Sequence, residues 1–229
     1  MFKELLDMLR AKSPLNAMLD EFTQMMDKTE WMFDAATQVL MGKKPAKEVE
    51  KEIYAKDKEV NEHQRSIRRK IIRHLSLQPG ADVPACLVLM SVVKDAERVG
   101  DYAKNIFDLA VLAPHAPSGE HKARLIELKD RISRLMAAGR EVFDSQDSER
   151  AAKLIRESQL IEDDCDREVR GLITVDSQVG MSSAYVLAYR YFKRVTSHVR
   201  NITTSVVQPL DKLDFSSKPP ADKQADKPE

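Results

Sequence analysis

Glu97, Asp101 and Asn105 stand four residues apart in the stretch "ERVGDYAKNI" (97–106). On a helix, that interval stacks three oxygen-bearing side chains on consecutive turns of one face. Two acids at i and i+4 repel each other by about 0.2–0.5 kcal/mol unless a cation lies between them. Lys94, Arg98 and Lys104 are close enough in sequence to supply that cation, and a divalent metal would serve equally. Upstream, "DKEVN" (57–61) puts Asp57 and Asn61 at the edge of an apolar stripe, where a seam between two helices would run. The two segments are joined by the short "QPGADVP", which implies antiparallel neighbours whose Asp57 and Glu97 approach from facing turns. An oxygen-only patch of this kind suits Mg²⁺, Mn²⁺ or iron, whereas zinc more often recruits His or Cys. The same spacing is also that of a solvated face. Val92, Ala96, Val99, Ala103, Ile106 and Ala110 form the apolar stripe, and Glu97, Asp101, Asn105 and Asp108 fall almost opposite it. On the residues alone, both readings stay open.

Other chemistries find less support. A ferritin-like di-iron centre needs paired Glu-x-x-His, and no glutamate here is followed by histidine at that interval. His63 follows Glu59 at i+4 on a charged helix, which is usually a surface arrangement, and His121 and His198 lack metal-spaced partners. There is no glycine-rich phosphate loop and no GxSxG, and Cys86 has no neighbouring histidine to activate it. The basic run "RSIRRK" (65–70) has no interleaved aromatics, so a solvated helix face is expected there rather than a nucleic-acid surface.

The elements that must position these side chains are helices. The 229 residues include only seven glycines and are rich in good helix formers, and alternating β-branched runs are hard to find. A short amphipathic helix is expected over Phe2–Arg10, and Pro14 starts the next, which carries Met18, Phe22, Met25, Met32, Phe33, Ala36 and Leu40 inward until "GKKP". A helix over about 46–77 follows with Val49, Ile53, Val60, Ile67, Ile71 and Leu75 on one stripe, and a third over about 84–112. "APHAPSGEHK" has a linker composition. After it the plan recurs, with helices over about 122–143, 149–173 and 183–210, the middle one capped from "SQDSE".

The fold class is therefore all-α: two pseudo-repeated antiparallel three-helix bundles, six long helices in all, with a short N-terminal helix. The expected divisions are 1–113, 119–212 as a diverged second repeat, and a disordered tail over 213–229 with no apolar anchor. Two local matches support the duplication. "KDKEVN" (56–61) lines up with "CDREVR" (165–170), and "ERVGDYAKNI" with "KRVTSHVRNI" (193–202). In the second match Lys193 stands for Glu97 and Ser197 for Asp101, so a symmetrical pair of metal sites is not expected.

Thirty-seven basic and thirty-seven acidic residues cancel, which removes any whole-chain field favouring nucleic acid. Cys86 and Cys165 lie far apart without a CxxC, as expected of buried thiols in a reducing compartment. The N-terminus lacks a signal-peptide core, and "VPACLVLMSVV" is about half the ~20 residues of a membrane span, so a cytoplasmic protein is expected.

"ERVGDYAKNI" and "DKEVN" together resemble the signature elements of the PhoU family, the phosphate-uptake regulators, with motif-level similarity confined to the first repeat. The resemblance implies two three-helix bundles, a non-enzymatic role in restraining phosphate uptake and the phosphate-starvation kinase, and carboxylate motifs that hold iron, zinc or other divalent ions. Carried onto this chain, it makes Glu97 and Asp101 the metal carboxylates, with Asp57 and Asn105 beside them. The implied partners are a membrane transporter complex or sensor kinase, or a second copy of the chain. Two alternatives follow from the same residues: an accessory helical module of another ion transporter with no metal, and a carboxylate metalloenzyme.

Overall fold

The computed structural model describes residues 14–113, 115–174 and 179–213, and over these it contains six long helices and no strand. They are α1 (Pro14–Leu40), α2 (Glu50–Leu77), α3 (Val83–Leu112), α4 (Gly119–Ser145), α5 (Ser148–Thr174) and α6 (Val179–Thr204). Single 3-10 turns at Ala46–Glu48 and Leu210–Lys212 accompany them. The helix expected at Phe2–Arg10 and the tail beyond Leu213 lie outside the described residues. Leu213 itself is buried.

The breaks have local causes. Gly42, at φ +69°, ends α1 by accepting a left-handed conformation, which lets the Lys43 amide bond back to the Gln38 carbonyl. A side chain there would also crowd Ala116, whose Cβ lies 3.1 Å from the position of an added Cβ. Asp82 turns the chain into α3 in a left-handed conformation, with its carboxylate 3.0 Å from His74 Nε2. Asp147 caps α5 by accepting from the Glu149 and Arg150 amides at 3.1 and 3.0 Å. The sixth helix, expected to reach residue 210, ends at Thr204. The Thr203, Thr204 and Ser205 hydroxyls bond back to carbonyls in the preceding turn, and Pro209 disfavours helical geometry ahead of it.

Consecutive helices run antiparallel, and matched pairs mark the register. Glu21 meets Ser66 and Lys70 across the α1–α2 seam while Lys28 meets Glu59. Tyr54 meets Asp108 and Asp57 meets Lys104 across α2–α3. Arg124 meets Glu168 and Arg131 meets Glu157 across α4–α5. The two helix triads then pack on each other, α1 along α4 and α3 along α6. Phe22 lies 4.9 Å from Phe143 and Phe33 5.6 Å from Phe192, and Asp34 and Asp27 pair with Lys129 and Arg140. One apolar core runs through all six helices, from Leu15 to Ile202. At about 25 cal/mol per Å² of buried apolar surface, this continuous core is the main stabilising term. Among the described residues, no helix is long and apolar enough to cross a membrane.

Candidate functional site

α3 is the central helix of the first triad, covered by α1 on one side, α6 on another and α2 on the face opposite its apolar stripe. This burial decides how the acidic ladder behaves. A polar row opposite the core stripe faces water on a peripheral helix, but on α3 it faces α2. Glu97 keeps only 14% of its side-chain surface and Asp101 27%. The ladder is thus a half-buried seam rather than a solvated face.

Around Gly100, α3 packs within side-chain contact of both α1 and α2. An added Cβ there would sit 3.4 Å from Thr29 Cγ2 on α1 and 3.6 Å from Val60 Cγ1 on α2. α2 therefore lies near enough for Asp57 to reach across. Its Oδ1 accepts from Lys104 Nζ at 2.9 Å, and the same ammonium lies 3.6 Å from Asp101 Oδ1. Arg98 Nη1 donates to Asp101 Oδ2 at 2.9 Å, while its Nε is 3.7 Å from Glu97. Burial, followed by Asp101, pushes the Glu97 carboxyl above the usual range, with Arg98 and Arg68 pulling the other way. Burial depresses Lys104, but the hydrogen bond and charge of Asp57 and the charge of Asp101 outweigh it, and the lysine rises.

The structure thus brings Asp57, Glu97 and Asp101 into one electrostatic neighbourhood, with the half-buried Asn105 one turn beyond Asp101 on α3. The donor chemistry would suit a hard cation, but the placement does not. Lys104 and Arg98 already engage the Asp57 and Asp101 oxygens a divalent ion would need, and among the described residues no three acidic, histidine or cysteine groups are arranged to hold a metal.

The second triad handles its seam differently. Lys193, at the position matched to Glu97, donates to Asp166 of α5, and Arg190 lies 3.6 Å from the same carboxylate. Arg200, matched to Lys104, pairs with Glu162 at 3.1 Å. Arg200 thus faces Glu162 rather than Asp166, one turn away from the register implied by matching "KDKEVN" to "CDREVR". The Glu162 carboxyl is raised, with burial the largest cause, although Arg200 and a hydrogen bond from Ser197 oppose it.

A third constellation is absent from the sequence reading. Asp95 is 1% exposed and joins α3 to α6, accepting from Asn201 Nδ2 at 2.9 Å and Lys94 Nζ at 2.8 Å, with His198 Nδ1 at 2.7 Å. Tyr102 stacks on His198 at 5.7 Å and approaches Tyr191 at 6.1 Å. Burial raises the Asp95 carboxyl, but the hydrogen bonds from His198, Lys94 and Asn201 more than reverse this, and it ends below the usual range. Its partners lie 103 and 106 positions away, so spacing could not reveal them. The available signal was Asp95 itself, a lone acid flanked by Val92, Val93 and Ala96.

His63 and the two cysteines are accounted for structurally. His63 Nδ1 lies 3.0 Å from Glu21 within the α1–α2 seam. Both cysteines are buried, and burial pushes the Cys86 thiol up to about 11 and the Cys165 thiol to about 12.

Comparison with known proteins agrees with this geometry. The PhoU domain family model matches residues 22–110, from early in α1 to near the end of α3. The phosphate-specific transport system accessory protein PhoU homolog of Deinococcus radiodurans is 23% identical over 201 residues, covering 85% of this chain and 93% of that protein. The corresponding homolog from Pseudomonas putida is 25% identical over 158 residues, covering 66% of this chain and 62% of that protein. Among solved structures, PhoU from Pseudomonas aeruginosa superposes with a TM-score of 0.75 at 18% identity, covering 85% of this chain and 95% of that one. The phosphate transport system regulatory protein PhoU from Streptococcus pneumoniae gives 0.74 at 20%, covering 84% and 93%. The described helices therefore have the fold of the PhoU structures, and the PhoU domain match falls on α1–α3.

Proposed function

We propose that the protein is a cytoplasmic, non-enzymatic regulator of phosphate transport that acts by docking on a membrane transporter complex or its sensor kinase. The observation that carries this reading is end-to-end correspondence with a relative described as an accessory protein of phosphate-specific transport, of which 93% is covered. The architecture is consistent with a docking role. Several of its ion pairs bridge seams between helices, and the buried thiols of Cys86 and Cys165, pushed upward by burial, are not activated nucleophiles. Helices of about 27 residues, near 40 Å long at 1.5 Å per residue, present extended faces suited to a protein partner.

The test is affinity capture of the full-length tagged protein from detergent-solubilised membranes of its host. Recovery of phosphate-transporter subunits or a phosphate-responsive kinase supports the proposal. Recovery of a different ion transporter in their place would assign the chain to that transporter instead.

A further inference from the structure

The cations of α2 are unevenly placed. Between Glu62 and Asp82 the chain has five arginines and lysines and no acid, although basic and acidic residues balance over its whole length. Packing sorts those five into three directions. Arg68 is half-buried and acts on the Glu97 carboxyl of α3, while Lys70 pairs with Glu21 of α1 at 2.6 Å. Arg65, Arg69 and Arg73 recur every four residues, so they stand in one row along about 12 Å of the outward face. All three are exposed, and none has a carboxylate partner among the described residues. Cations near a helix C-terminus complement its dipole, but that effect fades within the last turn, and Arg65 lies about three turns before Leu77. Ile72, three residues after Arg69, and Leu77, four after Arg73, flank the row with 61% and 70% of their surface exposed. Arg73 and Leu77 also border an open cleft of about 390 Å³ between the start of α1 and the end of α2.

We propose that this face of α2, from Arg65 to Leu77, docks on an anionic lipid bilayer, with the three arginines on headgroup phosphates and Ile72 and Leu77 at the boundary between headgroups and acyl chains. α2 packs on α1 and α3 and leaves the face open. A guanidinium fork matches a phosphodiester with two parallel hydrogen bonds. A row of one sign fits a surface of uniform opposite charge, and each arginine near such a surface strengthens binding roughly fivefold. The exposed aliphatic pair distinguishes this row from a merely solvated one, because basic helices that lie in a membrane surface gain from burying such side chains there. The lack of aromatics between the cations, which disfavours nucleic acid, is no obstacle to lipid. This inference stands apart from the identity of the transporter or kinase partner.

The test is flotation of the full chain with protein-free vesicles, one set of pure phosphatidylcholine and one of equal parts phosphatidylcholine and phosphatidylglycerol. The wild type should bind the anionic vesicles, release as salt rises and ignore the neutral ones. Arg65→Gln/Arg69→Gln/Arg73→Gln should weaken binding on the order of 100-fold, with an unchanged circular dichroism spectrum. Lys43→Gln/Lys47→Gln/Lys51→Gln removes as much charge from exposed positions elsewhere and should bind as the wild type does. Ile72→Ser/Leu77→Ser should weaken binding several-fold and leave its salt dependence intact. Orthophosphate at matched ionic strength should not displace the protein. Equal binding to neutral vesicles, or a triple-arginine variant that binds like the wild type, would overturn the proposal. Displacement by orthophosphate would also overturn it and make the cleft a free-phosphate site. A wild type indifferent to both vesicles, whose arginine variant alone loses a captured protein partner, would overturn it too and assign the row to an acidic protein surface. Because the vesicles carry no protein, failure here leaves the transporter reading standing.

Discussion

Replacing Asp95 with alanine should destabilise the protein far more than any change in the acidic ladder. The carboxylate is 1% exposed and accepts from Lys94 and Asn201 at 2.8 and 2.9 Å, with His198 at 2.7 Å, so its removal strands donors on two helices at the junction of the two triads. Breaking a buried ion pair from one side costs about 3–5 kcal/mol. His198 retains 18% of its side-chain surface and Lys94 42%, so both rehydrate in part and the lower end of that range, about 3 kcal/mol, is expected. For a chain of this length that corresponds to a fall of about 6–12 °C in Tm. Asp101→Ala, with a 27% exposed carboxylate paired to a more exposed arginine, should cost about 1 kcal/mol or less. Urea unfolding followed by circular dichroism measures both. The pH dependence adds a second check. The folded Asp95 carboxyl lies below its unfolded value of about 3.9, so its contribution is fully present above that pH and is lost as pH falls through the folded value. The gap between wild type and Asp95→Ala should therefore be constant above about pH 5 and shrink on acidification below about pH 4. An Asp95→Ala cost under about 1 kcal/mol, or a gap that widens in acid, would refute the argument.

Other consequences follow from the same packing. Gly139 lies where α4 meets α6, an added Cβ falling 3.3 Å from Val199 Cγ1, so Gly139→Leu should cost about 1–3 kcal/mol by overpacking, read as a lowered urea midpoint. Phe33→Ala removes a fully buried ring that meets Phe192 and should cost about 3–5 kcal/mol in the same measurement. With their thiols raised to about 11 and 12, Cys86 and Cys165 should resist a thiol reagent at pH 8 in the folded protein and react at once in denaturant.

Helix periodicity carried most of the fold. The inward stripes named for the first three long helices are buried in α1, α2 and α3, with Val49 just ahead of α2 and Leu75 and Ala110 only partly covered. Pro14, Gly42 and Asp147 marked boundaries because each acts through its own backbone or cap. The end of α6 was less legible, since the sequence retains helical character past the point where threonine and serine hydroxyls begin to compete for the carbonyls. The site was legible as residues but not as an environment. Glu97, Asp101 and Asp57 do converge, yet whether a polar row faces water depends on how many helices surround its own, and a 3.6-residue period does not encode that. Lys104 was visible as a candidate counter-cation, and geometry selects it. The Asp95 network joins residues more than 100 positions apart, and only the packing of α3 on α6 brings them together.

The most direct test of the functional account is phosphate uptake in the host with this gene deleted, measured with labelled orthophosphate in phosphate-replete medium and repeated after complementation. The account predicts uptake that stays high when phosphate is abundant and returns to normal with the wild-type gene. Uptake that remains fully repressed in the deletion strain, while the transport of another ion is altered, would contradict it.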